Sequence, residues 1–347
     1  MIENAIDMTT TDKPLLTILI TTYNRAPILD KELEILYGHE KRGLMFDVIV
    51  SNDCSSDNTE EICMKWKEKY RNLRYIRLKE RSGMDKNFMT VYEAFETEYC
   101  WLLGDHRCIN YEGLKTILSK LEEHKHTAYI IGIKGWQTIE TKEYTEINNL
   151  MDEQGWHIAE NSSCIIPRSF IKKEFYNRHM ATTFLHMGIM VENLCFLDKF
   201  NVLYMNDVVV EGVTIENYKG VGWDCHPFDN FGRWWFMFVM SLPNQITPET
   251  KLKVIKDHNR FMQIFSVRET ILKRCRYGEI FRNSYKNNRR YIEFISDTPR
   301  WVYDIIIYCP NALFKAVEFA RYLYHFLIKR DEIEKVHYTD LSSTKLR

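Results

Sequence analysis

The chain has 347 residues, 45% of them hydrophobic and 27% charged, with a formal net charge of −1; this is the profile of a globular protein, not of a disordered or fibrous one. No run of about 18 uncharged apolar residues occurs, which argues against a spanning helix, and the nine cysteines show no CxxC spacing and no zinc pattern. The near-neutral total hides an asymmetry, because residues 251–347 hold 20 Lys and Arg against 11 Asp and Glu, a basic tail on an acidic body.

The N-terminal stretch Met1–Thr10 is acidic and has no apolar core, so no signal peptide is expected there. With reduced thiols, this points to a cytoplasmic protein. From residue 15 the pattern alternates regularly. Short Ile- and Val-rich runs predict strands near 15–21, 46–51, 73–78, 98–103 and 127–133. Helical patterns lie between them, near 27–37, 59–70, 84–95 and 111–124. Such alternation predicts an α/β fold with a mostly parallel sheet flanked by helices. Ser162–Ile166 reads as a further strand, with Pro167 placed to open a helix. Phe184–Phe200 reads as a helix and Asn201–Met205 as a strand. Beyond about 226 the pattern is helical and aromatic. The expected division is an α/β domain over 1–235 and a helical, basic and aromatic region over 236–347.

Each early strand ends in polar, turn-forming residues. In open parallel sheets, ligands bind beyond the carboxyl ends of the strands. Thr21, Thr22, Tyr23 and Arg25 follow the first strand. Asp53 and Ser55 follow the second, where a carboxylate either accepts a hydrogen bond from a base N–H or caps a turn. Gly83 permits an unusual backbone or a close ligand approach. Lys86 and Asn87 open the next helix, where they can meet a diphosphate or simply start the helix. Gly104 and Asp105 close the fourth strand. Asp105 is a natural ligand for Mn²⁺ or Mg²⁺, or a turn residue, with His106 as a second ligand suited to Mn²⁺ and Arg107 as an alternative source of positive charge. No GxGxxG follows the first strand, which argues against a dinucleotide site.

Together, Thr21–Arg25, Asn52–Thr59, Gly83 with Asp85, Asn87 and Phe88, and Leu102–Asp105 resemble the family 2 glycosyltransferases of GT-A fold. The chain is similar to the abequosyltransferase-like bacterial enzymes of that family, which build O-antigen, capsule and related glycans. The resemblance is firm over roughly 15–110 and looser to about 235. It implies a nucleoside-diphosphate-sugar donor, foremost a UDP-sugar, with Asp53 reading the base, and a glycan or lipid-linked acceptor. It also implies direct displacement with inversion. His106 and Arg107 stand where relatives usually carry further aspartates, so the metal motif is atypical.

Inversion needs a base for the acceptor hydroxyl. His186 and Glu192 are the candidates; His186 titrates near neutrality when unperturbed, but it equally suits a packed core. Their spacing of six puts them on different helical faces. Trp223, Asp224 and His226 form a polar and aromatic cluster suited to acceptor or diphosphate, His226 being a reserve metal ligand, or a loop leading into an aromatic helix. The tail, with mixed basic and aromatic faces, fits a peripheral membrane contact or a homo-oligomer contact. Nothing specific indicates nucleic acid. A non-catalytic nucleotide-sugar-binding or scaffolding subunit is the alternative reading. A sugar nucleotidyltransferase would need a Gly-rich, basic loop after the first strand, which is missing.

Overall fold

The computed structural model describes residues 13–136, 139–213, 215, 225–310 and 313. The described residues up to 215 form one compact unit with 240–254. Residues 225–239 form a second with 255–313.

The first unit opens with β1 (Leu16–Thr22), α1 (Ala26–Glu40), β2 (Asp47–Asn52), α2 (Thr59–Lys69), β3 (Leu73–Arg77), α3 (Met84–Ala94) and β4 (Tyr99–Gly104). Next come β5 (Arg107–Ile109), α4 (Tyr111–Glu122), β6 (Ala128–Ile133), β7 (Lys142–Tyr144), α5 (Ile147–Gln154), β8 (Cys164–Pro167), α6 (Lys173–His179), α7 (Leu185–Phe196) and β9 (Val202–Gly212). The strands run in the order β3-β2-β1-β4-β8-β6-β9-β5, with β7 also on β9. From β3 to β4 all pairings are parallel. Beyond β4 the sheet is mixed, because β8 inserts antiparallel between β4 and β6.

The parallel part is apolar on both faces. Leu16, Ile18, Leu19 and Ile20 of β1 and Val48 and Val50 of β2 are fully buried, as expected for strands covered on both sides. Thr22 pairs in register with Asn52, and Thr21 with Gly104. The carboxyl ends of β1, β2 and β4 are therefore level, and their loops emerge on one edge.

Two local expectations change. Pro167 ends β8, and only a single 3-10 turn, Arg168–Phe170, follows it. β9 runs to Gly212, well past Met205, since a register shift against β6 between Ile131 and Gly132 absorbs the turn-like Asn206-Asp207.

The second unit is helical. A π-helical segment, Phe228–Trp234, leads into α8 (Trp235–Ser241); α9 (Pro248–Met262), α10 (Val267–Asn288), α11 (Ile292–Ile295) and α12 (Arg300–Tyr308) follow. Residues 240–241 of α8 and 248–254 of α9 belong to the first unit. Gly278 kinks α10 at φ +54°, a conformation that glycine adopts without penalty. Phe228 centres this unit, its ring 4.9–5.2 Å from those of Phe265, Phe281 and Tyr285. Among the described residues, no helix is long and apolar enough to cross a membrane.

Candidate active site at the strand ends

The loop after β1 is tied to the loop after β2. Asn24 takes a left-handed φ of +52°. Its N–H donates to Ser55 Oγ at 2.8 Å, and its side-chain carbonyl accepts the Ser56 N–H at 2.8 Å. Asp57 caps two helices. Its carboxylate accepts the Ala26 N–H at the start of α1 (3.1 Å) and the N–H and hydroxyl of Thr59 at the start of α2 (3.2 and 2.5 Å). Capping of this kind satisfies otherwise orphaned helix N–H groups.

Asp53 reaches the third loop. Its Oδ1 accepts the Ser82 N–H and hydroxyl at 2.6 and 2.9 Å, and its Oδ2 accepts the Gly83 N–H at 3.0 Å. Gly83 sits at φ +86°, and a Cβ there would meet nothing within 4 Å. Backbone conformation, not close approach, calls for glycine at this position. Lys86 is exposed in the first turn of α3. Asn87 is buried, and its amide donates to the Ser51 carbonyl at 3.3 Å. The Arg81 guanidinium lies 4.3 Å from the Tyr23 ring centroid, within cation–π range.

Arg25 and Asp105 meet at the centre. Arg25 Nη1 donates to Asp105 Oδ1 at 2.8 Å and to His106 Nδ1 at 3.3 Å. Two metal-type donors thus converge on one point, and the Arg25 guanidinium occupies it. Among the described residues, no three His, Cys, Asp or Glu side chains group to hold a metal ion. Asp105 and His106 are the residues here that could hold a divalent ion, with substrate phosphates and water completing its shell, and both now face the Arg25 guanidinium.

Arg107 is turned elsewhere. Its Nε and Nη2 donate to Glu160 Oε1 at 3.2 and 3.1 Å. Ser162 links this segment to the strand end by accepting the Gly104 N–H at 3.0 Å. A Cβ on Gly104 would press on that hydroxyl at 3.3 Å.

The two candidate bases lie apart on α7, as their spacing implied. His186 is buried, its Nε2 on the Ala159 carbonyl at 2.9 Å and its ring edge-on to Phe88. Burial pushes its pKa down to about 4, making it a weak base. Glu192 is fully buried. It takes two hydrogen bonds from Arg178 Nη1 (2.8 and 2.9 Å) and one from His179 Nε2 (3.0 Å). His226 belongs to the helical unit, 3.7 Å from Asp229. Trp223 and Asp224 lie outside the described residues.

Sequence reasoning overlooked Glu160 and Glu32. Glu160 follows an irregular stretch with no periodic signal. Glu32 is fully buried in α1, and neither of its oxygens meets a partner among the described residues. Burial, then the nearby Asp105 charge, raises its pKa well above the usual carboxylate range.

Residues 17–189, about half of the chain, match the model of glycosyl transferase family 2. The chain belongs to this family. Abequosyltransferase RfbV of Salmonella typhimurium is 28% identical over 109 residues, 31% of this chain and 33% of that protein. The poly(ribitol-phosphate) beta-N-acetylglucosaminyltransferase TarS of Staphylococcus aureus is 28% identical over 120 residues, 34% of this chain and 21% of that one. These alignments thus span a third or less of the relatives' own lengths. The crystal structure of S. aureus TarS 1–349 in complex with UDP-GlcNAc superposes with a TM-score of 0.54 at 15% identity, covering 89% of this chain and 91% of that one. At that identity the likeness establishes the fold: the family 2 domain here is a GT-A domain, followed by C-terminal helices.

Proposed function

We propose that this family 2 glycosyltransferase moves a sugar from a nucleoside-diphosphate-sugar, foremost a UDP-sugar, to a hydroxyl of a surface glycan or lipid-linked oligosaccharide. The observation that carries this reading is the convergence of the β1, β2 and β4 ends, with Arg25, Asp53 and Asp105 on their loops and Lys86 in the first turn of α3, whose leading Gly83 is bonded to Asp53. The Asp53 carboxylate keeps lone-pair capacity for a base N–H beyond the bonds it already accepts. Arg25 and Lys86 supply the positive charge that a diphosphate requires. The relatives' surface-glycan substrates support the acceptor class.

Transfer follows direct displacement. The acceptor oxygen bonds to the anomeric carbon from the face opposite the diphosphate, the carbon–oxygen bond to the diphosphate breaks, and the acceptor proton passes to a base. Glu160 suits that last role better than His186 or Glu192, because it is a carboxylate beside the strand end that reaches solvent. Arg25 takes the developing charge of the leaving diphosphate, so no step here depends on Mn²⁺ or Mg²⁺.

Calorimetry with UDP, CDP, GDP and dTDP, each with Mn²⁺ and with chelator, tests the donor site. One nucleotide, expected to be UDP, should bind in both conditions. Binding of none would refute the donor-site reading. The rival reading, a binding subunit without turnover, draws on the ion-paired state of Asp105; it predicts nucleotide binding but no hydrolysis or transfer with any nucleotide-sugar.

A further inference from the structure

Asp85 stands in the first turn of α3, two residues after Gly83, yet its carboxylate serves another part of the chain. Its Oδ2 accepts the Thr183 backbone N–H at 2.9 Å, across 98 residues of sequence. Its other oxygen, Oδ1, is buried and meets no hydrogen-bond partner among the described residues. The side chain is buried, so water does not compete for the Thr183 bond.

The loop it holds is an unusual one. Ala181 and Thr183 lie at φ +63° and +69°. Left-handed backbone is uncommon outside glycine and is a clear outlier for a β-branched residue such as Thr183. Strain of this kind persists only where the surroundings enforce it, and it clusters at functional segments. Thr182 closes the loop locally: its hydroxyl donates to the His179 carbonyl at 2.6 Å and accepts the Phe184 N–H at 3.2 Å. The loop leads into α7, with His186 one residue inside.

Along the chain Asp85 is flanked by residues tied to the strand ends. Gly83 is held by Asp53, Lys86 follows Asp85, and Asn87 reaches β2. One carboxylate thus joins the first turn of α3 to a strained loop 98 residues further on.

We propose that Asp85 is a positioning residue that couples nucleotide binding at the start of α3 to the order of loop 180–184 and the first turn of α7. This rests on the donor-site reading above. The loop is the segment that then faces the incoming acceptor, its strained form held more firmly once the donor is in place.

The test is hydrogen exchange of amides 181–186 with and without saturating UDP, alongside calorimetry. In the wild-type chain UDP should slow exchange at these amides at least tenfold. In Asp85→Ala, and in the isosteric Asp85→Asn should the alanine variant fold poorly, the UDP-induced slowing should vanish while UDP affinity changes less than threefold. Restoration of the slowing in Asp85→Glu would add support. A merely structural bond would raise exchange in the free variant yet leave the UDP response intact, and that result would overturn the coupling. Binding of UDP to the wild-type chain without any response at 181–186 would sink this inference alone. Failure of all four nucleotides to bind would sink the donor-site reading and this inference with it.

Discussion

The Arg25 guanidinium lies 2.8 Å from Asp105 Oδ1 and bridges to His106 Nδ1, fastening the end of β1 to the end of β4 across 80 residues. Here a fixed cation stands between the two metal-type donors. Side chains that neutralise phosphate charge need no metal to do so, and a guanidinium matches phosphate oxygens in bidentate geometry.

Arg25→Ala should therefore weaken UDP binding by at least tenfold, roughly 1.4 kcal/mol. Arg25→Lys should recover only part of the loss, because an ammonium lacks the planar fork. Chelator should shift the wild-type affinity by less than threefold. Affinity that collapses in chelator but survives Arg25→Ala would reverse this assignment and return the charge-neutralising role to a metal.

The base assignment separates by mutation. Glu160→Gln keeps the shape of the side chain and removes its basicity, so turnover should fall about 10²-fold or more, the usual contribution of general base catalysis. His186→Gln can still donate to the Ala159 carbonyl, so its turnover should stay within about tenfold. Single-turnover kinetics with a saturating donor would read both. The opposite ranking would restore His186 as the base.

The strands and helices up to residue 133 were legible because each is short, periodic and bounded by turn residues. The loops that bear the site follow from the same alternation. What joins them was not legible. Arg25–Asp105, Arg107–Glu160 and Asp85–Thr183 are pairs 80, 53 and 98 residues apart, and such contacts depend on strand order. The strand near Ser162–Ile166 was legible, but nothing in its apolar run told that it would insert antiparallel between β4 and β6. α7 is buried from Leu185 to Leu194. It has no polar face, so nothing in its periodicity separates a packed histidine from a catalytic one.

Two buried groups give stability opposite pH slopes. Folded His186 stays neutral down to about 4, whereas an unfolded imidazole takes its proton near 6.5. Between those values the unfolded chain binds more protons, so stability falls as pH drops from about 6.5 to 4. Glu32 acts the other way: its folded pKa is raised, so the unfolded chain ionises first and stability falls as pH rises above about 4.5. His186→Gln should relieve on the order of 3 kcal/mol near pH 4 and little at 7.5. Glu32→Gln should raise the melting temperature at pH 7.5 and leave it unchanged at pH 4. Parallel melting curves against pH for wild type and Glu32→Gln would contradict this account.

Gly188 sets the distance between α7 and His179. A Cβ there would fall 2.4 Å from the His179 ring, closer than real contacts allow. Gly188→Ala should drive His179 off Glu192, leaving a buried carboxylate with fewer partners, at a cost of about 3 kcal/mol in denaturant unfolding. Nucleotide affinity should hold, because Asp53 and Arg25 are bonded to other elements. A loss under about 1 kcal/mol would mean that α7 shifts freely, and that the Arg178–His179–Glu192 cluster does little to fix it.

The last prediction concerns α12. Tyr303, Ile306 and Ile307 are buried, while Trp301, Ile305 and Tyr308 are 63%, 60% and 45% exposed. Their spacing of four and three residues places these exposed side chains along one stripe of the helix. Exposed apolar stripes on helices mark contact surfaces, and a Trp and Tyr pair with an aliphatic neighbour suits the boundary between headgroups and acyl chains. The basic excess beyond residue 251 favours an anionic partner. A lipid-linked acceptor would be met at such a surface. The chain should therefore sediment with vesicles containing a third phosphatidylglycerol, and weakly with neutral phosphatidylcholine. Trp301→Ala with Ile305→Ala should reduce vesicle binding at least fivefold while UDP affinity holds. Binding that depends on anionic lipid but not on these two side chains would move the contact to other basic segments. Loss of self-association in place of lipid binding would mark the stripe as a contact between copies.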